Sequence, residues 1–308
     1  MGRFLLIRAA QALFTLWVVV SLVFLLIHAT GDPIAVLAPE QMSAHSRALL
    51  RAALGLNRPL VVQYVRYRYL AGVLHGNLGV SYYSGQPAMR LILERVPVTL
   101  ELVGLSMGVA VLLGVPFGIW AAVRPDGVAD RVLRSLSVLG SSVPTFFLAI
   151  LLIYFFSVAF NVLPASGAGS LRHYIMPAFT LAFFRIALFT RLVRSTLLET
   201  LSQNYVRTAR AKGVSEPVVI LKHALRTALL PLVTVFGLQF GQLFAGAVIT
   251  ETIFALPGMN RMALQALYRL DYPVILAYVL VVAAMFVVIN FLVDLAYGLL
   301  DPRVRHHG

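Results

Sequence analysis

The chain contains no cysteine, which removes disulfide frameworks, thiolate metal sites and cysteine nucleophiles together. Charge is scarce as well. Only 12% of the 308 residues are Asp, Glu, Lys or Arg, half the ~25% typical of a soluble domain. Acid is the scarcer sign, with 12 Asp and Glu against 25 Lys and Arg and a formal net charge of +13. Lysine is nearly missing, Lys212 and Lys222 being the only examples. No G-x4-G-K-[ST] phosphate loop occurs, so nucleotide hydrolysis is not chemistry this chain carries. His28, His45, His75, His173, His223, His306 and His307 are scattered, with no H-E-x-x-H among them, and no metal site is expected. A nucleophile-elbow pattern is absent too. The sequence does not read as an enzyme on its own.

What is present is apolar surface: 60% hydrophobic residues and a mean hydropathy of +0.87. That composition implies an integral membrane protein lying in a lipid bilayer. In such a chain the excess of arginine reads as topology and contact with anionic lipid rather than nucleic-acid binding. A helix needs about 20 mostly apolar residues to cross the hydrocarbon core. Six segments meet that length: Phe4–Ile27, Val98–Val123, Leu136–Leu163, Tyr174–Val193, Ala228–Ile249 and Pro273–Leu300. The first could pass for a signal peptide, but it is long and no small-x-small cleavage site follows it, so a retained helix is expected.

Arginine positions orient these spans. With the N-terminus inside, Arg3 and Arg8 are cytoplasmic, as are Arg124, Arg131 and Arg134, the bases from Arg191 to Arg226, and Arg303 and Arg305. The outer loops Pro164–His173 and Thr250–Tyr272 carry only Arg172, Arg261 and Arg269, as the positive-inside rule requires. The segment Ala29–Pro97 dissents, holding Arg47, Arg51, Arg58, Arg66, Arg68, Arg90 and Arg95 on the outside. Loops longer than about 60 residues translocate largely regardless of charge. The expected organisation is an all-α helix bundle with both termini cytoplasmic. A first helix occupies 1–29, an extracytoplasmic loop or cap 30–97, the transmembrane core 98–300 and a tail 301–308. Within the cap, Ser43–Leu56 and Val61–Leu74 have helical patterning. Gly104-xxx-Gly108, Gly114-xxx-Gly118 and Gly237-xxx-Gly241-xxx-Ala245 allow close helix packing, and Pro116 and Pro144 are expected to kink their helices.

The cytoplasmic loop 199–231 stands out. In Gln203–Pro231 the bases Arg207, Arg210, Lys212, Lys222 and Arg226 fall on predicted helix. Ser202 or Asn204 is placed to cap a short helix running to Lys212, and Gly213 supplies the turn because it tolerates positive φ. Ser215 then caps a second helix with Glu216 and Pro217 in its first turn. Charge alone leaves two readings open, a lipid-pinned loop or a docking element for a cytoplasmic partner.

The motif in this loop resembles the EAA-x3-G motif of ABC importer permeases: Arg207-Thr208-Ala209, three residues, then Gly213. Arg207 stands where the generic motif has Glu, so an ion pair made by that acid does not carry over. The generic I-x-LP is replaced by His223-Ala224-Leu225-Arg226. This form is similar to the dipeptide/oligopeptide/nickel branch of the family. Further matches follow in order along the chain: Gly31-Asp32-Pro33, Gly76-Asn77-Leu78-Gly79, Pro97-Val98-Thr99-Leu100-Glu101-Leu102, Pro144-Thr145-Phe146, Glu251-Thr252-Ile253-Phe254 with Pro257-Gly258, and Asp301-Pro302-Arg303. The resemblance implies a type I ABC importer permease-like fold in a bacterial or archaeal plasma membrane. It also implies a homologous second permease, two cytoplasmic ATPase subunits that bind ATP and magnesium, and an extracytoplasmic solute-binding protein; no cofactor is expected in this chain. Tyr205, Arg207, Thr208, Ala209, Arg210, Ala211, Lys212 and Gly213 would form the helix that couples to an ATPase, and Glu251, Phe254, Pro257 and Gly258 would face the binding protein. The implied cargo is a di- or oligopeptide, with nickel, haem or glutathione as alternatives. A self-sufficient secondary transporter or channel is the reading from another class. It calls for inverted repeats and paired broken helices, which the sequence does not display.

Three polar residues inside the spans are candidates for the pathway. Arg185 lies mid-span, where a charge costs about 2.5–3.5 kcal/mol on insertion scales. It either meets a peptide carboxylate, pairs structurally with Glu101 or Asp294, or snorkels. Asn290 and Asp294 share a face of the last helix, where interfacial hydrogen bonding is expected. Gln239 and Gln242 lie on the helix joining the coupling loop to the outer loop.

Overall fold

In the computed structural model the described residues are 78–300 together with 10, 11, 13–19, 21–25, 34, 38, 42–53 and 55–64, with the side chains of 141, 230, 245 and 294–300 excluded. Gly31-Asp32-Pro33, Gly76-Asn77, most of Val61–Leu74 and the tail 301–308 lie outside them. Among the described residues the regular structure is helical apart from an isolated bridge between Val80 and Pro87, with turns and irregular loops between the helices. Its elements are α1 (Ala44–Ala53), α2 (Ala88–Leu93), α3 (Val96–Val123), α4 (Val128–Ser142), α5 (Thr145–Leu152), α6 (Arg172–Leu201), α7 (Asn204–Ala211), α8 (Glu216–Ala228), α9 (Leu230–Ile253), α10 (Met259–Tyr268) and α11 (Tyr272–Leu300).

Three helical segments among the described residues are long and apolar enough to cross a membrane: Ala88–Val123, Arg172–Leu201 and Tyr272–Val293. Two bent pairs raise the number to five if each is one span. The first apolar run is helical at 13–19 and 21–25. The expected span Leu136–Leu163 is not one helix. α4 ends at Ser142, and the next helix leaves at 104° to it. Pro144 does more than kink here: it has no N–H to continue the ladder, and it pushes Val143 into an extended conformation with ψ 122°. α5 then loosens into a π-helical turn, Ile153–Ala159. Pro116, by contrast, stays inside an unbroken α3.

The helices group into two compact units that cut across the chain order, 1–99 with 257–288 and 100–256 with 289–308. In the first unit a tight turn closes between Val80 and Pro87. Its Ser81 Oγ donates to Asp271 Oδ2 at 2.5 Å, and the Tyr82 amide donates to Oδ1 at 3.1 Å. Tyr83 Oη donates to the Arg269 carbonyl, and the Arg269 guanidinium lies over the Tyr83 ring. α2 packs on α10, the Met259 amide donates to Thr99 Oγ1, and Tyr278 Oη donates to Asn260 Oδ1.

In the second unit α6 is the central helix, packing against α4, α5 and α9. A Cβ on Gly114 would come within 2.8 Å of Phe189 Cβ, and one on Gly118 within 2.7 Å of Val193 Cβ. These glycines let the α3 backbone approach α6 directly. Gly104 and Gly108 have nothing within 4 Å. Across α4 and α6, fully buried Asp130 accepts from Arg194 Nε at 2.5 Å and Nη2 at 2.7 Å. The Asp126 amide donates to the same carboxylate. Such a bidentate, charge-assisted contact fixes both the distance and the rotation of the two helices.

Candidate functional site

The loop between α6 and α9 folds as expected in outline and differs in its caps. α7 runs from Asn204 to Ala211, with Gln203 as N-cap and no side-chain capping bond. Ser202, one of the two expected caps, donates to the Glu199 carbonyl at the end of α6 instead. Gly213 takes φ +76°, the left-handed conformation that glycine adopts without steric cost. Ser215 is the N-cap of α8, without a side-chain bond, and Pro217 sits in the first turn. Glu216 turns away from its own helix end. Both its oxygens accept from Arg210, Nη2 at 2.6 Å and Nε at 3.0 Å, which holds the Glu216 carboxyl below the ordinary carboxylate range. This clamp closes across the Gly213 turn and braces α7 against α8. Opposite charges flanking a glycine between two helices were the sequence signal for it.

α7 has two faces. Val206 (0% exposed) and Ala209 (8%) point inward into an apolar cluster with Ala122 of α3, Leu197 of α6, and Val219, Ile220, Ala224 and Ala228 of α8. Ile119, Leu198, Leu201 and Val214 pack around it. Among the expected coupling residues Ala209 therefore belongs to the interior. Its spacing of three from Val206 places both on one side of a helix. Tyr205, Arg207, Thr208, Arg210, Ala211, Lys212 and Gly213 are exposed. The outward surface joins those bases to exposed apolar groups, Tyr205, Val218 and Leu221. A π-helical turn at Val219–Ala224 widens α8 by a residue, and Val219, Ile220 and Ala224 are all buried there. The sequence reading missed this apolar underside, although its spacing was present.

The outer loop differs more from expectation. Of the four residues assigned to face a soluble partner, Glu251 (0%), Phe254 (1%) and Gly258 are buried, and Pro257 alone is exposed. Glu251 lies near Tyr174, which also bonds Glu101. The Phe254 carbonyl accepts from the Gly167 amide. These residues shape the loop from beneath. Thr252, beside them, is exposed and offers a side chain outward.

Within the spans, Arg185 is 9% exposed, and its Nη1 donates to the Leu181 carbonyl of its own helix at 2.8 Å. The expected pair with Glu101 is not formed; Asp294 has no described side chain. Gln239 is half-buried and Gln242 exposed. Arg185 and Gln239 thus sit on helices that pack together, α6 and α9. Among the described residues no group of three His, Asp or Glu is placed to hold a metal ion.

The family described as binding-protein-dependent transport system inner membrane component matches residues 114–306, and its N-terminal counterpart matches 1–103. The chain is 40% identical to a probable peptide ABC transporter permease of Sinorhizobium fredii, covering 99% of this chain and 100% of that one. It is 39% identical to the dipeptide transport system permease of Escherichia coli K12, over 99% of both chains. It is 43% identical to the glutathione transport system permease of Salmonella paratyphi A, over 95% of both. In fold it is similar to a chain of the MetNI methionine ABC transporter in inward-facing conformation, with a TM-score of 0.55 at 19% identity, covering 69% of this chain and 97% of that one.

Proposed function

The chain belongs to the family of binding-protein-dependent transport system inner membrane components, and on that footing we propose that it forms half of the translocation pathway of an ATP-driven importer of di- and oligopeptides. It is a multi-pass permease subunit of the inner membrane and is not itself catalytic; an ATPase and a solute-binding protein are its partners. The finer arrangement is our reading. A homologous second permease completes the pathway, and two ATPase subunits bind ATP and magnesium. Both termini are cytoplasmic, in a bacterial or archaeal plasma membrane.

The observation that carries the mechanism is the apolar cluster beneath α7. A coupling helix must be gripped on one face and be continuous with the spans on the other. Here the outward face carries Tyr205, Arg207, Arg210 and Lys212, while the inward face is packed onto α3, α6 and α8. Close-packed interiors transmit displacement rather than absorbing it. A push on α7 therefore reaches the ends of three helices at once, and α9 follows directly from α8. The direction of transport comes from ligands with unequal affinity for the two states, here ATP on the motor subunits and the loaded binding protein outside. Of the four residues assigned to that protein, Pro257 is the one exposed to meet it. Arg185, Gln239 and Gln242 are the candidate pathway residues.

Peptide cargo is favoured by the relatives named for peptides and dipeptides. Glutathione, itself a small peptide, is the second reading, supported by the 43% identical relative. The test is uptake of a labelled dipeptide, and separately of glutathione, by proteoliposomes holding the complete complex. Uptake should require ATP, both ATPase subunits and the binding protein. Uptake by this chain alone would overturn the assignment.

A further inference from the structure

Arg185 is a charged group whose surroundings do not account for it. It lies 13 residues into the 30-residue α6, about 20 Å from the helix start at ~1.5 Å per residue. Its side chain does not snorkel to water, because Nη1 turns back onto the Leu181 carbonyl of its own helix and the residue is buried. The guanidinium stays charged at any physiological pH, yet no carboxylate among the described residues is close enough to compensate it. Its bond to Leu181 uses Nη1, one donor of five, and the carbonyl supplies no net charge. Nε, which belongs to the edge that a carboxylate grips side-on through two parallel bonds, is buried with no acceptor among the described residues. On α9, packed against α6, Gln239 Oε1 is likewise buried without a donor among the described residues. Two packed helices thus retain an unmet donor and an unmet acceptor, complementary to a carboxylate and an N–H group.

We infer that Arg185 receives the free carboxylate of the cargo during transit and is a specificity-determining residue of this permease. Gln239 offers its carbonyl to a cargo N–H. The inference rests on the peptide import proposed above, since a peptide presents both groups. The residue keeps 9% exposure and lies on α6, which leads into the coupling loop, so the ATP-driven cycle is what opens access to it.

The experiment compares ATP-dependent uptake of a dipeptide with a free C-terminal carboxylate and of its C-terminal amide, in proteoliposomes holding the complete complex and one binding protein throughout. The preference of the binding protein is then common to every sample and cancels between variants. In Arg185→Gln the ratio of free-acid to amide uptake should fall about tenfold or more, the range of a lost charge-assisted hydrogen bond. Arg185→Lys, which keeps the charge and loses the fork, should recover part of it. Should Arg185→Gln fail to assemble, judged by ATPase activity stimulated by the binding protein, Arg185→Lys alone decides, because it too must lower the ratio. An unchanged ratio overturns the inference. So does equal loss of both cargoes in Arg185→Gln reproduced by Asp294→Asn, which would mark an internal ion pair. If the unaltered complex imports neither peptide, the peptide reading falls and takes this inference with it.

Discussion

Asp271 shows what a single buried acid does in a chain with few acids. It is 4% exposed and ties the Ser81–Tyr82 turn to the start of α11. Burial raises its carboxyl above the ordinary value, while the bonds from Ser81 and Tyr82 pull it back down. Burial wins, so the folded state binds this proton more tightly than the unfolded chain does. Acidification toward the raised value therefore adds stability, and that contribution is lost as pH rises through it. Asp271→Asn imitates the protonated form. Thermal melts in detergent should show a pH slope in the carboxylate range for the unaltered protein that is missing from Asp271→Asn; parallel slopes would refute the assignment. None of this was legible in sequence, where Asp271 is one polar residue in an outer loop. Gly213 was legible, because its requirement for positive φ is local. The absence of an Arg185–Glu101 pair was not, because only the packed helices decide which acid reaches which base.

For the helices, small residues at four-residue spacing look alike in sequence and separate in the structure. A Cβ placed on Gly118 would stand 2.7 Å from Val193 Cβ, whereas one on Gly108 would meet nothing within 4 Å. Gly118→Leu should destabilise the chain by about 1–3 kcal/mol through overpacking, while Gly108→Leu should stay within about 0.5 kcal/mol. Melting of the purified permease in detergent checks the pair, and equal effects would contradict the α3–α6 seam. Helix existence and approximate ends followed from apolar run length and breaker residues. The break at Val143–Pro144 was underestimated as a kink, because composition across Leu136–Leu163 is uniformly apolar and hides the change of direction. The Asp130–Arg194 clamp was invisible for a related reason: the partners are 64 residues apart.

At the scale of the whole molecule, the coupling loop works only if its two faces do different things. Val206→Asp places an unpaired charge in the cluster beneath α7. The complete complex should then hydrolyse ATP with uptake per ATP reduced several-fold, or should lose stability outright, as uncompensated buried charges do. Arg207→Ala should leave the permease folded and weaken its hold on the ATPase most strongly at low salt, where surface charge matters most. Co-purification across a salt series, with uptake and ATPase rates measured together, distinguishes the two; identical phenotypes would sink the two-face account.

The sequence by itself determined that this chain lives in a membrane, that its long apolar runs become helices, that it has no ATP-binding loop of its own, and that a basic helix–turn–helix lies between two of those runs. Each of these depends on properties summed over neighbouring residues, such as hydrophobic length, breakers and charge. The tertiary structure decided which side of α7 is buried, which outer-loop residues remain exposed, which glycines bear a neighbouring helix and that Arg185 turns onto a backbone carbonyl of its own helix. Those outcomes depend on contacts between residues far apart in the chain, and burial and pairing are properties of the packed assembly of helices, not of any segment read alone.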